Sequence, residues 1–447
     1  MGDTIVAIAT AQAPAAIGVV RLSGKEALAI ALSFWQGAKP HPRTATLGML
    51  LDGQTPLDQA LITYFPAPHS YTGEDVVEIS CHGSPYILRR VVEICLERGA
   101  RLARPGEFSL RAYLHRKLSL DQAEAIADLI QARSAAAHRL ALSQFRGAYY
   151  QKVRALREKL IEFLALMELE MDFSEEDVEL ASRSQLLLLL EALDGEVTAL
   201  LKAYRIGQAV REGVPVAIVG RPNAGKSTLL NALLAEERAI VSDTPGTTRD
   251  TLEERLYLGG YELRLIDTAG LRENPADAIE AEGIRRARQK LAQAFLILYV
   301  FDVSEETPTQ AQQHAPLLLG TDFTASILWI ANKIDKLSTP IPSTDGVIFI
   351  SAAQGTGMDA LEKAIVESLA QQGASSDILL SHARHYESFI KAQTAVKGAL
   401  QLLREGGGSE LIVEELRAAQ RAIGEITGEI TPDEILGHIF SKFCIGK

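Results

Sequence analysis

The feature that most constrains this chain is a glycine-bounded segment between an apolar run and a helical pattern. Val216–Val219 has the composition of a buried strand, and Gly220-Arg-Pro-Asn-Ala-Gly-Lys-Ser227 follows it directly. This spacing is typical of a P-loop, in which backbone N–H groups surround phosphate oxygens, the lysine reaches the β- and γ-phosphates and the serine holds Mg²⁺. Taken alone, the segment also fits an ordinary turn between strand and helix. The residues predicted to bind nucleotide here are Asn223, Ala224, Gly225, Lys226, Ser227 and Thr228, with Lys226 also catalytic.

Three further motifs follow in the order expected of a nucleotide-binding domain, and they exclude the simple turn. Asp267-Thr268-Ala269-Gly270 ends an apolar run; its carboxylate can reach Mg²⁺ through water, and its glycine N–H can sense a γ-phosphate. Asn332-Lys333-Ile334-Asp335 ends another run. An Asp carboxylate there can accept guanine N1–H and N2–H₂, which selects GTP over ATP. Ser351-Ala352-Ala353 can supply backbone contacts to guanine O6.

A polar loop between the first two motifs is also expected to contact GTP. It reads Ser242-Asp243-Thr244-Pro245-Gly246-Thr247-Thr248. A threonine in such a loop can complete the Mg²⁺ shell, so Thr248 joins Ser227 as a predicted Mg²⁺ ligand. Leu271 follows Gly270, where a Ras-like enzyme places its water-orienting glutamine. Leucine cannot orient water, so another group must do so or hydrolysis is slow.

Composition places the chain among globular proteins of a reducing compartment. Its 447 residues suffice for two to four domains, and 47% hydrophobic with 23% charged content is ordinary for a soluble protein. No apolar run approaches the ~18–20 residues of a membrane span. Three cysteines fit a cytosol better than a disulfide framework, so we expect a cytoplasmic protein. Because the net charge is −12, an RNA partner has to meet a local basic patch.

The periodicity of apolar residues divides the chain into regions with different predicted secondary structure. Residues 1–118 mix strand-like runs with a helical pattern over Tyr86–Arg98, which indicates an α/β unit. Residues 119–210 and 376–447 have helical composition, and residues 211–375 alternate strands and helices as in a doubly wound sheet. The predicted strands are Ile5–Ala9, Gly18–Leu22, Ala60–Phe65, Val76–Ser80, Val216–Val219, Tyr261–Ile266, Phe295–Phe301, Ile327–Ala331 and Gly346–Ile350.

The predicted fold class is therefore multidomain α/β plus all-α. A mixed α/β N-terminal domain (residues 1–118) precedes a helical bundle domain in two halves (residues 119–210 and 376–447). A P-loop, Ras-like, doubly wound G domain (residues 211–375) is inserted between those halves.

These motifs, together with others along the whole chain, resemble a known family. Gly-Arg-Pro-Asn-Ala-Gly-Lys-Ser, Gly-Thr-Thr-Arg-Asp and Asp-Thr-Ala-Gly-Leu-Arg are similar to motifs of the bacterial and organellar MnmE (TrmE) family of tRNA-modification GTPases. So are Ser70-Tyr-Thr-Gly-Glu-Asp75, Arg104-Pro-Gly-Glu-Phe108, Asp121-Gln-Ala-Glu-Ala-Ile126 and the terminal Phe443-Cys-Ile-Gly-Lys447. The resemblance implies a folate-binding N-terminal domain that dimerises, so a homodimer, and tRNA as substrate. It also implies an FAD-containing partner of the MnmG (GidA) kind in a hetero-oligomer.

The family's folate-binding positions fall on four residues of this chain. The resemblance implies that Arg21, Glu78, Lys117 and Lys447 bind a reduced folate, either 5-formyl- or 5,10-methylene-tetrahydrofolate. An arginine and lysines suit the glutamate tail of a folate, and a carboxylate suits its pterin donors. Ser84 stands where the family commonly has glycine, and His115-Arg116-Lys117 replaces a more typical Asn-Gly-Lys, so the geometry of this loop is expected to differ.

The resemblance also assigns a cation and a water-orienting group. Asn223 matches the family's K⁺-binding asparagine, with Ser242, Thr244 and Thr247 lining the same ion. A monovalent cation against the phosphates can replace an arginine finger electrostatically. The family's water-orienting glutamate aligns with Glu280, and Glu282 is a second possibility because of the inserted Asn274-Pro-Ala.

Cys444 is the third predicted catalytic residue, and two roles are open for it. If Lys447 contacts folate, Cys444 lies near the one-carbon unit, where a thiolate can attack the uridine or the carrier. The alternative is that the cysteine only packs or orders the tail of the chain.

The sequence thus predicts an Mg²⁺-dependent GTPase, and the resemblance implies that K⁺ activates it. The resemblance adds that it works with the FAD-containing partner to place an aminomethyl-type group, such as carboxymethylaminomethyl, at C5 of the wobble uridine, with reduced folate as one-carbon donor. The alternative is a ribosome-assembly or other regulatory GTPase switch whose N-terminal domain docks a protein.

Overall fold

The computed structural model of the chain describes residues 2–172, 183–237, 254–266, 291–319, 325–337, 344–373 and 379–427, with Ile439, Phe440, Phe443 and Gly446 near the C-terminus. Two compact units can be distinguished. One comprises Met1–Ala127, Phe145–Glu158 and Gln420–Lys447, and the other comprises Asp128–Gln144 and Lys159–Ala419. Among the helices in these ranges, none is both long and apolar enough to cross a bilayer.

The N-terminal region is built on a seven-stranded sheet with the order β3-β4-β5-β6-β2-β1-β7. Neighbouring strands are antiparallel except β1 and β7, which are parallel. The elements in chain order are β1 (Ile5–Ile8), β2 (Ala15–Ser23), α1 (Ala27–Leu32), β3 (Trp35–Gly37), β4 (Thr46–Asp52), β5 (Thr55–Phe65), β6 (Val76–Gly83), α2 (Pro85–Glu97), β7 (Arg101–Leu102) and α3 (Glu107–Leu114). The four predicted strands and the predicted helix are confirmed, although β5 begins earlier than expected; β3, β4 and β7 were not predicted.

The core of this region forms between α1, α2 and the sheet. Helix α2 turns Leu88, Val91 and Cys95 inward, as its 3.6-residue period requires, against buried sheet residues such as Ile79. Cys81 and Cys95 are free and buried. Burial raises the pKa of the Cys81 thiol to about 11 and that of Cys95 to about 12. Neither is therefore a thiolate at neutral pH, and both act as small core residues.

Within the described residues, four helices lie in sequence between this region and the second sheet. They are α4 (Leu120–Gln131), α5 (Ala135–Phe145), α6 (Ala148–Asp172) and α7 (Arg183–Glu212). Helix α7 buries a stripe at Leu186, Leu190, Leu193 and Val197, whereas Leu188 and Leu189 are 66% and 47% exposed. The run Leu186–Leu190 therefore lies only partly inside the helical core.

The G domain contains a six-stranded sheet with the order β13-β12-β11-β8-β10-β9. All neighbours are parallel except β9 and β10. The elements are β8 (Val214–Val219), α8 (Lys226–Glu237), β9 (Glu254–Leu258), β10 (Tyr261–Ile266), β11 (Leu296–Asp302), α9 (Pro308–Leu319), β12 (Ser326–Asn332), β13 (Val347–Phe349) and α10 (Met358–Gln371). The five strands predicted here are confirmed, and β9 is additional.

The position of β8 in this sheet explains where a ligand can bind. Strands β10 and β9 lie on one side of it, and β11, β12 and β13 lie on the other. The strand order therefore reverses at β8, and open α/β sheets bind ligands beyond the carboxyl ends of strands at such a point. The segment Gly220–Gly225 follows the carboxyl end of β8.

Helices α11 (Ala383–Glu405) and α12 (Ser409–Thr427) follow the G domain in sequence. Helix α11 packs along α7. The Tyr204 and Tyr386 rings stack with centroids 4.2 Å apart, and Gln393 Nε2 donates to Thr198 Oγ1 at 2.7 Å. The predicted return of the chain to helical structure after the G domain is confirmed.

Candidate functional site

The P-loop lies at the switch point of the G-domain sheet, and its glycine geometry is specific. Gly225 has φ +95°, and a Cβ atom on it would lie 2.2 Å from Asn332 Nδ2. Only glycine fits such a conformation and such a close approach without displacing the neighbour. Asn223 also has a left-handed backbone, with φ +64°. The residues present therefore form the tightly turned cradle that phosphate binding requires.

The side chain of Lys226 closes this turn. Lys226 Nζ donates to Gly220 O at 2.7 Å and to Arg221 O at 2.8 Å, so the ammonium lies across the loop. Burial lowers the pKa of Lys226 below its usual value. Helix α8 begins at Lys226, and Ser227 and Thr228 are exposed in its first turn. An anionic ligand here would meet the helix N-terminus, the ammonium and two hydroxyl groups.

Asn332 joins the P-loop to the loop that follows β13. Its Nδ2 donates to Ala224 O at 2.9 Å, and its Oδ1 accepts from the Ala352 N–H at 3.0 Å. The residue is 2% exposed. One buried amide thus holds the predicted phosphate loop and the predicted base loop in fixed register.

Asp335 lies beside the loop that Asn332 holds. Ser351 Oγ donates to Asp335 Oδ1 at 2.5 Å, and the Ser351 N–H donates to Thr356 O at 2.9 Å. Asp335 and Ala353 are exposed, whereas Ser351 and Ala352 are buried. The Asp335 carboxylate is thus oriented by a fixed hydroxyl and still accessible to a ligand.

Lys333, between Asn332 and Asp335, is anchored by a residue that the motif analysis missed. Its Nζ donates to Asp302 Oδ2 at 2.7 Å, and Asp302 also accepts from the Ser304 N–H and Oγ. Burial pushes the pKa of the Asp302 carboxyl upward, but the hydrogen bonds from Lys333 and Ser304 outweigh it and leave that pKa below its usual value. Asp302 is therefore a buried carboxylate in its charged form.

A second cluster forms in the N-terminal region around Arg21. Arg21 on β2 pairs in register with Glu78 on β6, and Arg21 Nη2 lies 2.7 Å from Glu78 Oε1. The guanidinium lies 5.4 Å from the centroid of the Tyr71 ring and 5.7 Å from that of Phe108. Such cation–π contacts fix the orientation of the arginine. Both rings belong to motifs that carried the family resemblance without an assigned role.

The C-terminal segment reaches the same cluster. Arg21 Nη1 donates to Gly446 O at 3.3 Å. Gly446 has φ +104°, and a Cβ atom there would lie 2.3 Å from Ile8 O, so the segment fits against β1 only as glycine. Phe440 and Phe443 pack with Leu120 and Ala123.

The loop that carries Tyr71 is held by charged residues around a buried arginine. Arg111, which is fully buried, donates to Glu74 Oε2 at 2.9 Å and to Asp3 Oδ1 at 3.0 Å. Lys117 is exposed, and its Cε lies 3.4 Å from where a Cβ atom on Gly73 would be. Arg21 and Glu78 are thus in direct contact, and Lys117 lies against the loop that carries Tyr71.

Comparison with known proteins identifies the family. The family model described as the GTP-binding protein TrmE N-terminus matches residues 4–117, and that described as the MnmE helical domain matches residues 120–444. The tRNA modification GTPase MnmE of Cytophaga hutchinsonii is 44% identical over 453 residues, covering 100% of this chain and 98% of that protein. The chain belongs to the MnmE family of tRNA modification GTPases. Its counterpart from Porphyromonas gingivalis is 42% identical over 468 residues, again covering 100% and 98%.

Several site residues predicted from the motifs of this MnmE family member lie outside the described residues. In the G domain they are Ser242, Asp243, Thr244, Pro245, Gly246, Thr247, Thr248, Asp267, Thr268, Ala269, Gly270, Glu280 and Glu282. In the C-terminal segment they are Cys444 and Lys447. Their assignments stay predictions. The residues that sequence reasoning missed are Asp302, Tyr71, Phe108 and Gly446, each of which contacts a predicted site residue through the fold rather than through a recognised spacing.

Proposed function

We propose that this chain is a GTPase that acts in tRNA modification. The observation that carries the proposal is the single buried amide of Asn332, which holds the P-loop carbonyl of Ala224 and the Ala352 N–H in one site beside Asp335. A phosphate cradle and a guanine-selecting carboxylate are thereby assembled together, as GTP requires. Membership in a family of tRNA modification GTPases supports the same conclusion.

The chain's own groups have distinct roles toward GTP. The Lys226 ammonium and the N-terminus of α8 would hold the β- and γ-phosphates, and Asp335 would accept two guanine donors. Ser227 and Thr248 would hold Mg²⁺, which supplies positive charge against the phosphates, and Asp267 would reach the ion through water. Glu280, or Glu282 as the second possibility, would orient the attacking water. With water oriented by one of these glutamates, the reaction does not need a water-orienting side chain at Leu271.

K⁺ is proposed as the activating cation. Asn223, with its left-handed backbone at the exposed edge of the P-loop, would bind it together with Ser242, Thr244 and Thr247. The cation supplies charge that an arginine finger supplies elsewhere. Because Asn223 is exposed, its side-chain amide is accessible to an ion from solvent.

GTP hydrolysis is expected to be fast in K⁺ and to fall at least ~10-fold in Na⁺ at equal ionic strength. The smaller Na⁺ would not span the same ligands, and the reaction would then lose charge at the phosphates that contributes several kcal/mol. Asn223→Ala should remove the difference between the salts while GTP still binds; an alanine at φ +64° costs about 1–2 kcal/mol of backbone strain in the P-loop, so the Kd for GTP is expected to rise by no more than about tenfold. Phosphate release in the two salts, with nucleotide titration, checks both points. Equal wild-type rates in K⁺ and Na⁺ would rule out the cation role.

Reduced folate is proposed to bind at the Arg21 cluster, with Lys117 and Lys447. Arg21 and Glu78 lie 2.7 Å apart, so we infer that they contact one part of the folate rather than its two ends. The Tyr71 and Phe108 rings and the Gly446 carbonyl complete a mixed polar and aromatic surface suited to such a ligand. Folate would supply the one-carbon unit of the modification.

We further propose the wobble uridine as the modified base, a homodimer as the assembly and an FAD-containing MnmG-like protein as partner, in the cytoplasm. Carboxymethylaminomethyl addition at C5 needs a redox cofactor that the partner would supply. A ribosome-assembly or regulatory switch has no observation in its favour within the described residues, and it would be indicated if folate binding and tRNA modification were both absent.

Cys444→Ser is expected to abolish tRNA modification while GTP hydrolysis and folate binding stay near wild type, because a hydroxyl is a far weaker nucleophile than a thiolate. Arg21→Ala is the contrasting variant, since it should lose folate binding through its contacts to Glu78 and Gly446. Isothermal titration with a reduced folate and nucleoside analysis of tRNA distinguish the two. Wild-type levels of modified uridine with Cys444→Ser would exclude a chemical role for the thiol.

A further inference from the structure

A buried carboxylate outside every recognised motif contacts the nucleotide site. Asp302 ends β11, is 5% exposed and pairs in register with Asn332 at the end of β12. Its two carboxylate oxygens have separate partners. Oδ1 accepts from the Ser304 N–H at 3.0 Å and from Ser304 Oγ at 2.6 Å, whereas Oδ2 accepts from Lys333 Nζ at 2.7 Å.

Lys333 lies between the two residues that define the site. It follows Asn332, which joins the loops, and precedes Asp335 by two residues. Its backbone is left-handed, with φ +66°, and its Cε lies 4.0 Å from where a Cβ atom on Gly225 would be. The lysine stem therefore runs from the base-binding motif past the P-loop to Asp302.

We propose that Asp302 is a positioning residue for guanine-nucleotide binding, which acts by holding the Lys333 side chain in place before the nucleotide arrives. This inference rests on the proposed GTP-binding function. A free lysine side chain has large rotamer freedom, and ordering it on binding weakens affinity. With Nζ fixed on Asp302, the methylene stem is already ordered beside the P-loop before a nucleotide binds.

The same contact protects the guanine-binding carboxylate. Asp335 is exposed and carries the charge that the base donors need. A lysine ammonium two residues away would otherwise be drawn to that carboxylate and compete with guanine, since opposite charges at short range attract strongly. Asp302 provides a buried alternative partner, 2.7 Å from Lys333 Nζ, so Asp335 stays available for the ligand.

Asp302→Asn keeps one acceptor oxygen of the side chain and replaces the other with a donor, so it tests the contact to Lys333 apart from the contacts to Ser304. The Oδ1 of the introduced amide can keep both Ser304 hydrogen bonds, while its Nδ2 then faces the lysine ammonium, donor against donor. Affinity for GTP and for GDP is expected to fall about tenfold alike, because the base is common to both. Ser304→Ala is the matched control: it removes a donor to Oδ1, leaves the Lys333 contact and should stay within about twofold of wild type.

A double-mutant cycle with Lys333→Met distinguishes positioning from a structural role. Lys333→Met leaves Asp302 and its Ser304 contacts in place and is expected to lose about the same tenfold; adding Asp302→Asn to it should cost nothing further. Kd values for GTP and GDP by equilibrium titration give the result. Wild-type affinity in either single variant, or a further tenfold loss in the double variant, would overturn the proposal. A wild-type chain that binds no GTP would instead overturn the proposed function.

Discussion

Asp335→Asn is expected to weaken GTP binding about 10²–10⁴-fold, because two hydrogen bonds to a charged carboxylate contribute about 1.5–3 kcal/mol each. An amide offers one acceptor and one donor, so it mismatches the two adjacent guanine donors. It can instead pair with xanthine, which has a carbonyl where guanine has an amine. The variant should therefore bind XTP more tightly than GTP.

Competition between GTP and XTP for the purified variant measures this change of base preference. The amide oxygen of the variant can still accept the hydrogen bond from Ser351 Oγ that Asp335 accepts at 2.5 Å, so the loop should keep its structure. Ser351→Ala is the matched control, because it removes that hydroxyl and leaves the carboxylate; its preference for GTP over XTP should remain. Unchanged GTP affinity in Asp335→Asn would show that the base is held elsewhere.

Gly225→Ala is expected to destroy the nucleotide site. An alanine in a left-handed conformation costs about 1–2 kcal/mol. Its Cβ would also lie 2.2 Å from Asn332 Nδ2, so the amide must move and lose its bonds to Ala224 O and Ala352 N. Buried hydrogen bonds left unmade cost about 1–3 kcal/mol each. We expect GTP affinity to fall at least ~100-fold, which corresponds to about 2.7 kcal/mol.

Gly346→Ala is the matched control for backbone strain. Gly346 has φ +77° in the same domain, but a Cβ atom there would meet nothing within 4 Å. This variant should lose about 1–2 kcal/mol of stability and keep its affinity for GTP. Urea unfolding gives the free energy of unfolding of both variants, and nucleotide titration gives their affinity for GTP. Together they separate the effect of backbone strain from that of the steric clash with Asn332. Equal GTP affinity in Gly225→Ala and Gly346→Ala would show that the Asn332 bridge is dispensable.

Sequence reasoning succeeded where local pattern and tertiary environment agree. Helix α2 has a 3.6-residue period that a strand does not satisfy. The P-loop strand and the buried strands of the G domain are short apolar runs rich in β-branched and aromatic residues, which favours strand over helix. Sequence reasoning missed β9 because Glu254–Leu258 is a short edge strand with only Leu256 and Leu258 turned inward. Leu188 and Leu189 are exposed because a helix buries one stripe, which a run of leucines does not reveal.

The candidate site was only partly predictable, because some of its contacts join residues that are far apart in the sequence. Motif spacing identified Asn332, Lys333 and Asp335, because their chemistry toward guanine is carried by adjacent residues. Asp302 reaches Lys333 across 31 positions, and the pairing exists only because β11 and β12 are neighbours in register. Likewise, Arg21 meets Gly446 only through the fold, since 425 positions separate them. Such contacts leave no periodic signal in a single sequence.

The measurement that tests the central claim most directly is nucleoside analysis of wobble uridine in tRNA from cells that lack this chain. The cells would be complemented with wild type, with Gly346→Ala or with Gly225→Ala. We predict that C5-modified uridine disappears without the chain, returns with wild type and Gly346→Ala, and stays absent with Gly225→Ala, because modification requires the nucleotide site. Unchanged modified uridine in the cells that lack the chain would contradict the proposed function.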